Sequence, residues 1–124
     1  AASKHLPKVD YLHLGSNDLR DEGVETLASC DLFSEVKTLN LEQNGITERG
    51  ARALATSSKL TQLTSLNLVD NRVGNQGALE IANSETLSNL DYLHLGGNRI
   101  KSEEARTALR ESKYLSQLKT LKVF

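Results

Sequence analysis

One cysteine, one proline and no methionine or tryptophan occur in the 124 residues. Because Cys30 is alone, the chain can form neither an internal disulfide nor a thiolate metal cluster. Its place just after a helical core position points to a buried thiol in reducing surroundings, and so to a cytoplasmic setting. The single proline, Pro7, falls in a connection rather than within a strand, where its missing N–H would matter more. The absent initiator methionine fits a processed chain or a trimmed segment.

Charge of one sign is lacking too, with 16 acidic residues against 15 lysines and arginines and a formal charge of −1. That balance leaves no basic footprint for nucleic acid and no polybasic run for an anionic membrane. No stretch approaches the apolar length of a transmembrane helix, and the opening AASKHLPK lacks the apolar core of a signal peptide. Neither nucleic acid nor membrane is therefore expected as a partner.

What the chain does have is one phrase, repeated. Val9, Val36, Leu63 and Leu90 stand 27 residues apart, and so do Asn17, Asn44, Asn71 and Asn98. Self-similarity at such a period is the signature of a stacked solenoid, in which each repeat is completed by its neighbours. Residues 1–124 read as one domain of about four repeats plus a terminal strand, with starts at Val9, Val36, Leu63, Leu90 and Leu118. The absence of evident polar caps at either end favours a segment of a larger protein over a self-contained chain.

Within each copy two periods alternate. Leu12 and Leu14 alternate with Tyr11, His13 and Gly15, the period of two of a short strand facing a core on one side. After Asn17 and Leu19 the spacing changes, and Val24, Leu27 and Ala28 mark one stripe of a helix. Gly23 sits early in that helix, where a small residue would let it approach its neighbour or the preceding turn. The second copy runs through Leu39, Leu41, Asn44, Ile46, Gly50, Leu54 and Leu60, with Thr47 as a helix cap. The third repeats it with Leu66, Leu68, Asn71, Val73, Gly77, Ile81 and Leu87. In the fourth, Glu104 takes the glycine place and the step to Leu118 is 28, which predicts a longer helix ARTALRESKYL with one inserted residue in the helix or its exit. Short strands and helices in this order predict parallel, adjacent strands joined by right-handed crossovers.

The pattern LxxLxLxxN, followed by an aliphatic residue, glycine and a helix rich in small residues, resembles the leucine-rich repeat. The period of 27 to 28 residues is similar to that of the ribonuclease-inhibitor-like class, also found in NOD-like receptors. The resemblance covers Val9 to Phe124. It implies an α/β leucine-rich repeat solenoid, a short right-handed horseshoe arc with parallel strands on the concave face and helices on the convex face, and a protein-binding role. It implies nothing about ribonuclease.

The recurring asparagine is polar among apolar positions, and its amide can satisfy backbone groups in its own bend and in the next. Asn17, Asn44, Asn71 and Asn98 are therefore expected to form a structural ladder. The residues between the inward leucines face outward in lanes. Tyr11, Thr38, Ser65, Tyr92 and Thr120 form one; His13, Asn40, Asn67, His94 and Lys122 a second; Gly15, Glu42, Val69, Gly96 and Phe124 a third, edged by Ser16, Gln43, Asp70 and Gly97. The lanes vary while the core letters stay fixed, as on a scaffold that carries a grafted site. Tyr11 and Tyr92 combine apolar area with a hydroxyl. Together with His13, Glu42, Asn67, Val69, Asp70 and His94 they are the candidate protein-binding residues of the concave face.

Other chemistry fares poorly. His13 and His94 lie three strands apart, about 14–15 Å, and cannot share one zinc ion, whose ligands sit about 2 Å away. No phosphate loop, metalloprotease helix or nucleophile elbow occurs, and Gly15–Ser16–Asn17 and Gly96–Gly97–Asn98 are turn material. No catalytic residue, cofactor or metal is expected. The expected function is a non-catalytic protein–protein interaction module acting through its concave face. The alternative is a structural spacer, or a segment that self-associates end to end through its terminal repeats. The charged convex helices are a competing contact surface.

Overall fold

A computed structural model describes residues 10–124. Val9, Leu6 and Pro7 lie outside the described residues, as does the repeat start assigned to Val9.

Five strands of three residues each alternate with helices: β1 (Tyr11–His13), α1 (Arg20–Ala28), β2 (Thr38–Asn40), α2 (Glu48–Ala55), β3 (Ser65–Asn67), α3 (Gly74–Ala82), β4 (Tyr92–His94), α4 (Glu103–Arg110) and β5 (Thr120–Lys122). A 3₁₀ turn, Asp31–Phe33, carries the return from α1. The strands form one parallel sheet in chain order, with Leu12, Leu39, Leu66, Leu93 and Leu121 side by side. Strands line the concave side of a short arc and helices the convex side. The structure is an α/β solenoid.

The inward stripes meet in one continuous core. Leu39, Leu66 and Leu93 from the strands, Ile46, Val73 and Ile100 from the bends, and Leu54, Ile81 and Leu109 from the helices are buried together. Leu60, Leu87 and Leu115 close the core from the returning segments. Each such side chain contributes about 1.5–3 kcal/mol by leaving water. Leu12 in β1 and Leu14 just after it, and Leu118 and Leu121 at β5, are only partly buried, because they have a neighbour on one side alone.

Backbone polarity in the bends is satisfied by the asparagines. Asn44, Asn71 and Asn98 are 1, 4 and 1% exposed. The Asn71 side-chain oxygen accepts the N–H groups of Asn44 and Ile46, at 2.9 and 3.1 Å. Its amide nitrogen donates to the carbonyls of Leu41, Leu68 and Val69. Asn44 does the same for Asn17 and Leu19, and Asn98 for Val73. Asn17 stands apart: its side chain is exposed and, among the described residues, donates only to the Gly15 carbonyl, 3.0 Å away.

Two further devices join neighbouring units. The Asp21 carboxylate, at the start of α1, accepts the N–H groups of Thr47 and Gly50, both at 2.9 Å, and the Thr47 hydroxyl at 2.6 Å. It therefore caps α2 alongside Thr47 itself, whose Oγ1 accepts from the Arg49 N–H. Asn75, at the matching place on α3, instead accepts from Lys101 and Ser102, the two residues that lead into α4. On the exit side, the buried hydroxyls of Ser57 and Ser84 donate to the carbonyls of Ala28 and Ala55, and Ser112 donates to that of Ala82.

Ser112 also corrects the reading of the fourth helix. α4 is eight residues long, no longer than α2, and ends at Arg110. The Ser112 oxygen accepts the N–H groups of Tyr114 and Leu115, which turns the chain out of the helix. The extra residue lies between Ala105 and Leu109, and α4 compensates by starting after a Ser102 cap, one place later in phase than α2.

Glycine at the first helical turn has a steric cause. A Cβ on Gly77 would stand 2.5 Å from Val73 Cγ1 in the preceding bend and 3.3 Å from both Ala51 Cβ and Glu48 Cα in α2. Only a bare α-carbon permits that approach. Glu104 takes the equivalent place on α4, where its side chain is exposed.

Candidate functional site

Parallel pairing in exact register turns the outward positions of five strands into straight lanes. Tyr11, Thr38, Ser65, Tyr92 and Thr120 are successive partners, as are His13, Asn40, Asn67, His94 and Lys122. Ladder bonds continue one step past the strands, from Leu14 to Asn40, Leu41 to Asn67, Leu68 to His94 and Leu95 to Lys122. They carry Glu42, Val69 and Gly96 onto the same face. Adjacent lane members are about 4.7–4.9 Å apart.

The sequence-selected residues divide into two groups along the arc. Tyr11, which is 60% exposed, and His13 sit on β1 with their rings stacked at 6.5 Å and 3° between planes. Tyr92 and His94 repeat the pair on β4, but edge to face, at 6.3 Å and 74°. Asn67, Val69 and Asp70 join the second group from β3 and its bend, with Glu42 beyond them. Lys122, from β5, places its ammonium 5.7 Å from the centre of the Tyr92 ring, within cation–π reach. The face therefore has an aromatic pole at Tyr11 and a denser, charged pole at Tyr92.

Electrostatics at the second pole centre on His94. Burial holds its imidazole below the ordinary pKa, and the Lys122 ammonium adds to that, against the opposing pull of Glu42 and Asp70. Its Nδ1 accepts the Gly96 N–H at 3.2 Å, which fixes the proton of the neutral ring on Nε2.

The bend edge is shaped by left-handed backbone. Ser16, Gln43, Asp70 and Gly97, each just before a ladder asparagine, have φ between 54° and 69°. Asp70 in that conformation lies against Gly97, where a Cβ would collide with its carboxylate. Ser16 and Gln43 are bonded side chain to side chain at 2.7 Å.

The convex helices pair their charges among themselves. The Arg49 guanidinium, on α2, donates twice to Glu25 of α1, at 2.7 Å, and once to Glu22 at 3.4 Å. This holds the Glu25 carboxyl below the usual carboxylate range. Arg52 meets Glu80 of α3 at 3.4 Å. A hollow beyond the last helix is lined by Leu109, Arg110, Leu115, Leu118 and Leu121, and Arg106 lies over the Phe124 ring at 5.4 Å.

Among the described residues no three His, Cys, Asp or Glu side chains gather as a metal site, and no helix is long and apolar enough to cross a membrane. Cys30 lies on the return after α1, half-buried, on the far side of the core from His13 and His94. Residue-by-residue reading did not single out Asp21, Asn75 or the serines. The serines were findable, since Ser57, Ser84 and Ser112 follow the same 27- and 28-residue steps as the repeat starts.

A family model described as Leucine Rich repeat matches residues 5–28, 36–55 and 59–82. No curated protein is significantly similar in sequence. Among solved structures, leiomodin-1 actin-binding site 2 superposes with a TM-score of 0.73 at 20% identity, covering 91% of this chain and 69% of that one. The tropomodulin C-terminal domain from Caenorhabditis elegans gives 0.65 at 11% identity, covering 94% and 75%.

Proposed function

The chain belongs to the leucine-rich repeat family, and from that premise we propose that it is a non-catalytic protein-binding module whose contact surface is the concave sheet face. The observation that carries this reading is the contrast between the two sides of each strand. Inward, the partners Leu39, Leu66 and Leu93 are identical and fully buried. Outward, the same register reads Tyr11, Thr38, Ser65, Tyr92, Thr120, a surface free to be specific without cost to the core. The convex charges, by contrast, are largely engaged with one another across α1, α2 and α3.

Within the family, the 27-residue step between strand partners and the full α-helix in each unit favour the ribonuclease-inhibitor-like class. The binding residues of this reading are Tyr11, His13, Glu42, Asn67, Val69, Asp70, Tyr92 and His94. The matched part of leiomodin-1 is an actin-binding site, so actin is the first defined protein to try against this face. At this identity the likeness carries the fold alone, and actin serves as a probe.

The test is affinity capture from native extract, and from purified actin, with the parent beside a Tyr11→Ala, Tyr92→Ala double variant shown to be folded. Loss of capture in the variant supports the concave face. Equal capture overturns it, and a changed oligomeric state on charging β5 by Leu121→Lys would favour end-to-end stacking instead.

A further inference from the structure

Three residues of the middle lane share a hydrogen-bonding habit. Asn40 Oδ1 accepts the Glu42 N–H at 3.0 Å, Asn67 Oδ1 the Val69 N–H at 2.9 Å, and His94 Nδ1 the Gly96 N–H at 3.2 Å. In each case the side-chain acceptor is taken by the residue two places on, along the same face. A backbone N–H can only donate, so these bonds settle which atom points inward. What remains outward is the donor: Nδ2 of Asn40, Nδ2 of Asn67 and Nε2–H of His94. Among the described residues none of these three has a protein acceptor. Lys122, the next partner along the lane, adds an ammonium, which is also donor-only.

The lane is therefore a row of donors across β2, β3, β4 and β5, one per strand spacing of about 4.7–4.9 Å. Its complement is a row of acceptors at that interval. Side chains on one face of an extended segment recur at about 6.6–6.8 Å and fall out of step. Side chains three residues apart on an α-helix rise by about 4.5 Å, and those seven apart by about 10.5 Å, close to two strand spacings. The flanking charges refine the match. Glu42 and Asp70 border the lane at Asn40 and Asn67, which disfavours a carboxylate there. Both also act on His94, so a carboxylate fits only at the far end, on the Lys122 side of His94.

We propose that the middle lane of the concave face binds a helical protein segment presenting hydrogen-bond acceptors at positions i, i+3 or i+4, and i+7. Carboxamides sit over Asn40 and Asn67, and a carboxylate sits between His94 and Lys122. This rests on the concave-face reading above and adds the chemistry of the partner. Tyr92 supplies the apolar contact beside the lane.

The decisive substitution is Asn→Asp. Asn40→Asp with Asn67→Asp keeps each Oδ1 for its backbone N–H and exchanges each outward donor for an acceptor. A displayed random-peptide library is selected on the parent and again on the Asp double variant, and the peptides recovered on the parent are then measured on the Tyr11→Ala, Tyr92→Ala variant. The expected peptides carry Gln or Asn at the first two helical positions and Glu or Asp at the third. Their neutral carboxamides can turn an NH2 to each introduced carboxylate, so the Asp double variant is read by reselection rather than by its affinity for these peptides. Reselection on the double variant should turn the first two positions to Lys or Arg. Peptides that need Tyr11 and Tyr92 yet show no acceptor spacing, or a reselection on the double variant that returns the same residues at the first two positions, overturn the donor lane and leave the concave face standing. Peptides indifferent to the tyrosines, or no retained peptide at all, overturn both.

Discussion

The side-chain oxygen of Asn71 accepts the backbone N–H of Asn44 at 2.9 Å, across a separation of 27 residues. The same oxygen takes the Ile46 N–H, and the amide nitrogen spans carbonyls of two adjacent bends. Asn71→Ala strands several buried groups at about 1–3 kcal/mol each, so a loss of about 3 kcal/mol or more is expected. Asn17→Ala, at an exposed side chain, should cost less than about 1 kcal/mol. Urea denaturation of the two variants decides it, and equal midpoints would contradict the buried ladder.

Removing the cap that α1 provides for α2 should be milder. Asp21→Ala leaves the Thr47 and Gly50 N–H groups without their acceptor and should cost about 0.5–2 kcal/mol. Asp21→Asn should cost less, because a carboxamide oxygen can still accept the Thr47 and Gly50 N–H groups that Oδ1 takes. Ranking the three proteins by thermal midpoint tests this, and an Asn variant as damaged as the Ala variant would refute it.

Gly77 and Gly74 should respond differently to the same substitution. Gly77→Ala forces a methyl against Val73 and α2, and a cost of about 1–3 kcal/mol is expected from overpacking. Gly74 has open space around it but a φ of 70°, so Gly74→Ala meets backbone strain of about 1–2 kcal/mol. Asparagine tolerates that conformation better. Gly74→Asn should therefore recover stability relative to Gly74→Ala, and Gly77→Asn should not recover it relative to Gly77→Ala.

The depressed pKa of His94 has a definite sign for stability. Above the ordinary imidazole value of about 6.5 the folded and unfolded chains both hold it neutral, and it contributes no pH dependence. As the pH falls through about 6.5 the unfolded chain takes up the proton first, so this residue lowers stability until its folded pKa is passed. In an NMR titration Lys122→Gln should raise the His94 midpoint only part of the way, since burial is the larger cause. A midpoint that does not rise in this variant would remove Lys122 from the account.

The core and the ladder were legible because they recur. Leucines at period two, the helical stripe and the asparagine step specify strand, helix and bend without reference to a partner. The cap at Asp21 was not, because its acceptors serve amides 26 and 29 residues away, and its counterpart Asn75 is a different residue two units later. α4 was misread for a similar reason: its alanine and leucine pattern continues past Arg110, and the stop comes from Ser112 reaching back to Ala82. The lanes could be read as a face, but not which atoms of Asn40, Asn67 and His94 point away from it.

The caps and the ladder run in opposite directions along the chain. Asn44 reaches backward to finish the bend at Asn17, whereas Asp21 reaches forward to begin α2. The boundary between the first two units is thus closed by one bond set from either bank, like a joint dovetailed on both sides. Exchanging the first unit for a foreign one would have to supply a matching helix cap for the unit after it and accept the asparagine that the unit after it sends back. A perturbation is then felt at both immediate neighbours and attenuates beyond them, so the arc can vary its outward lanes unit by unit while its curvature stays common to all.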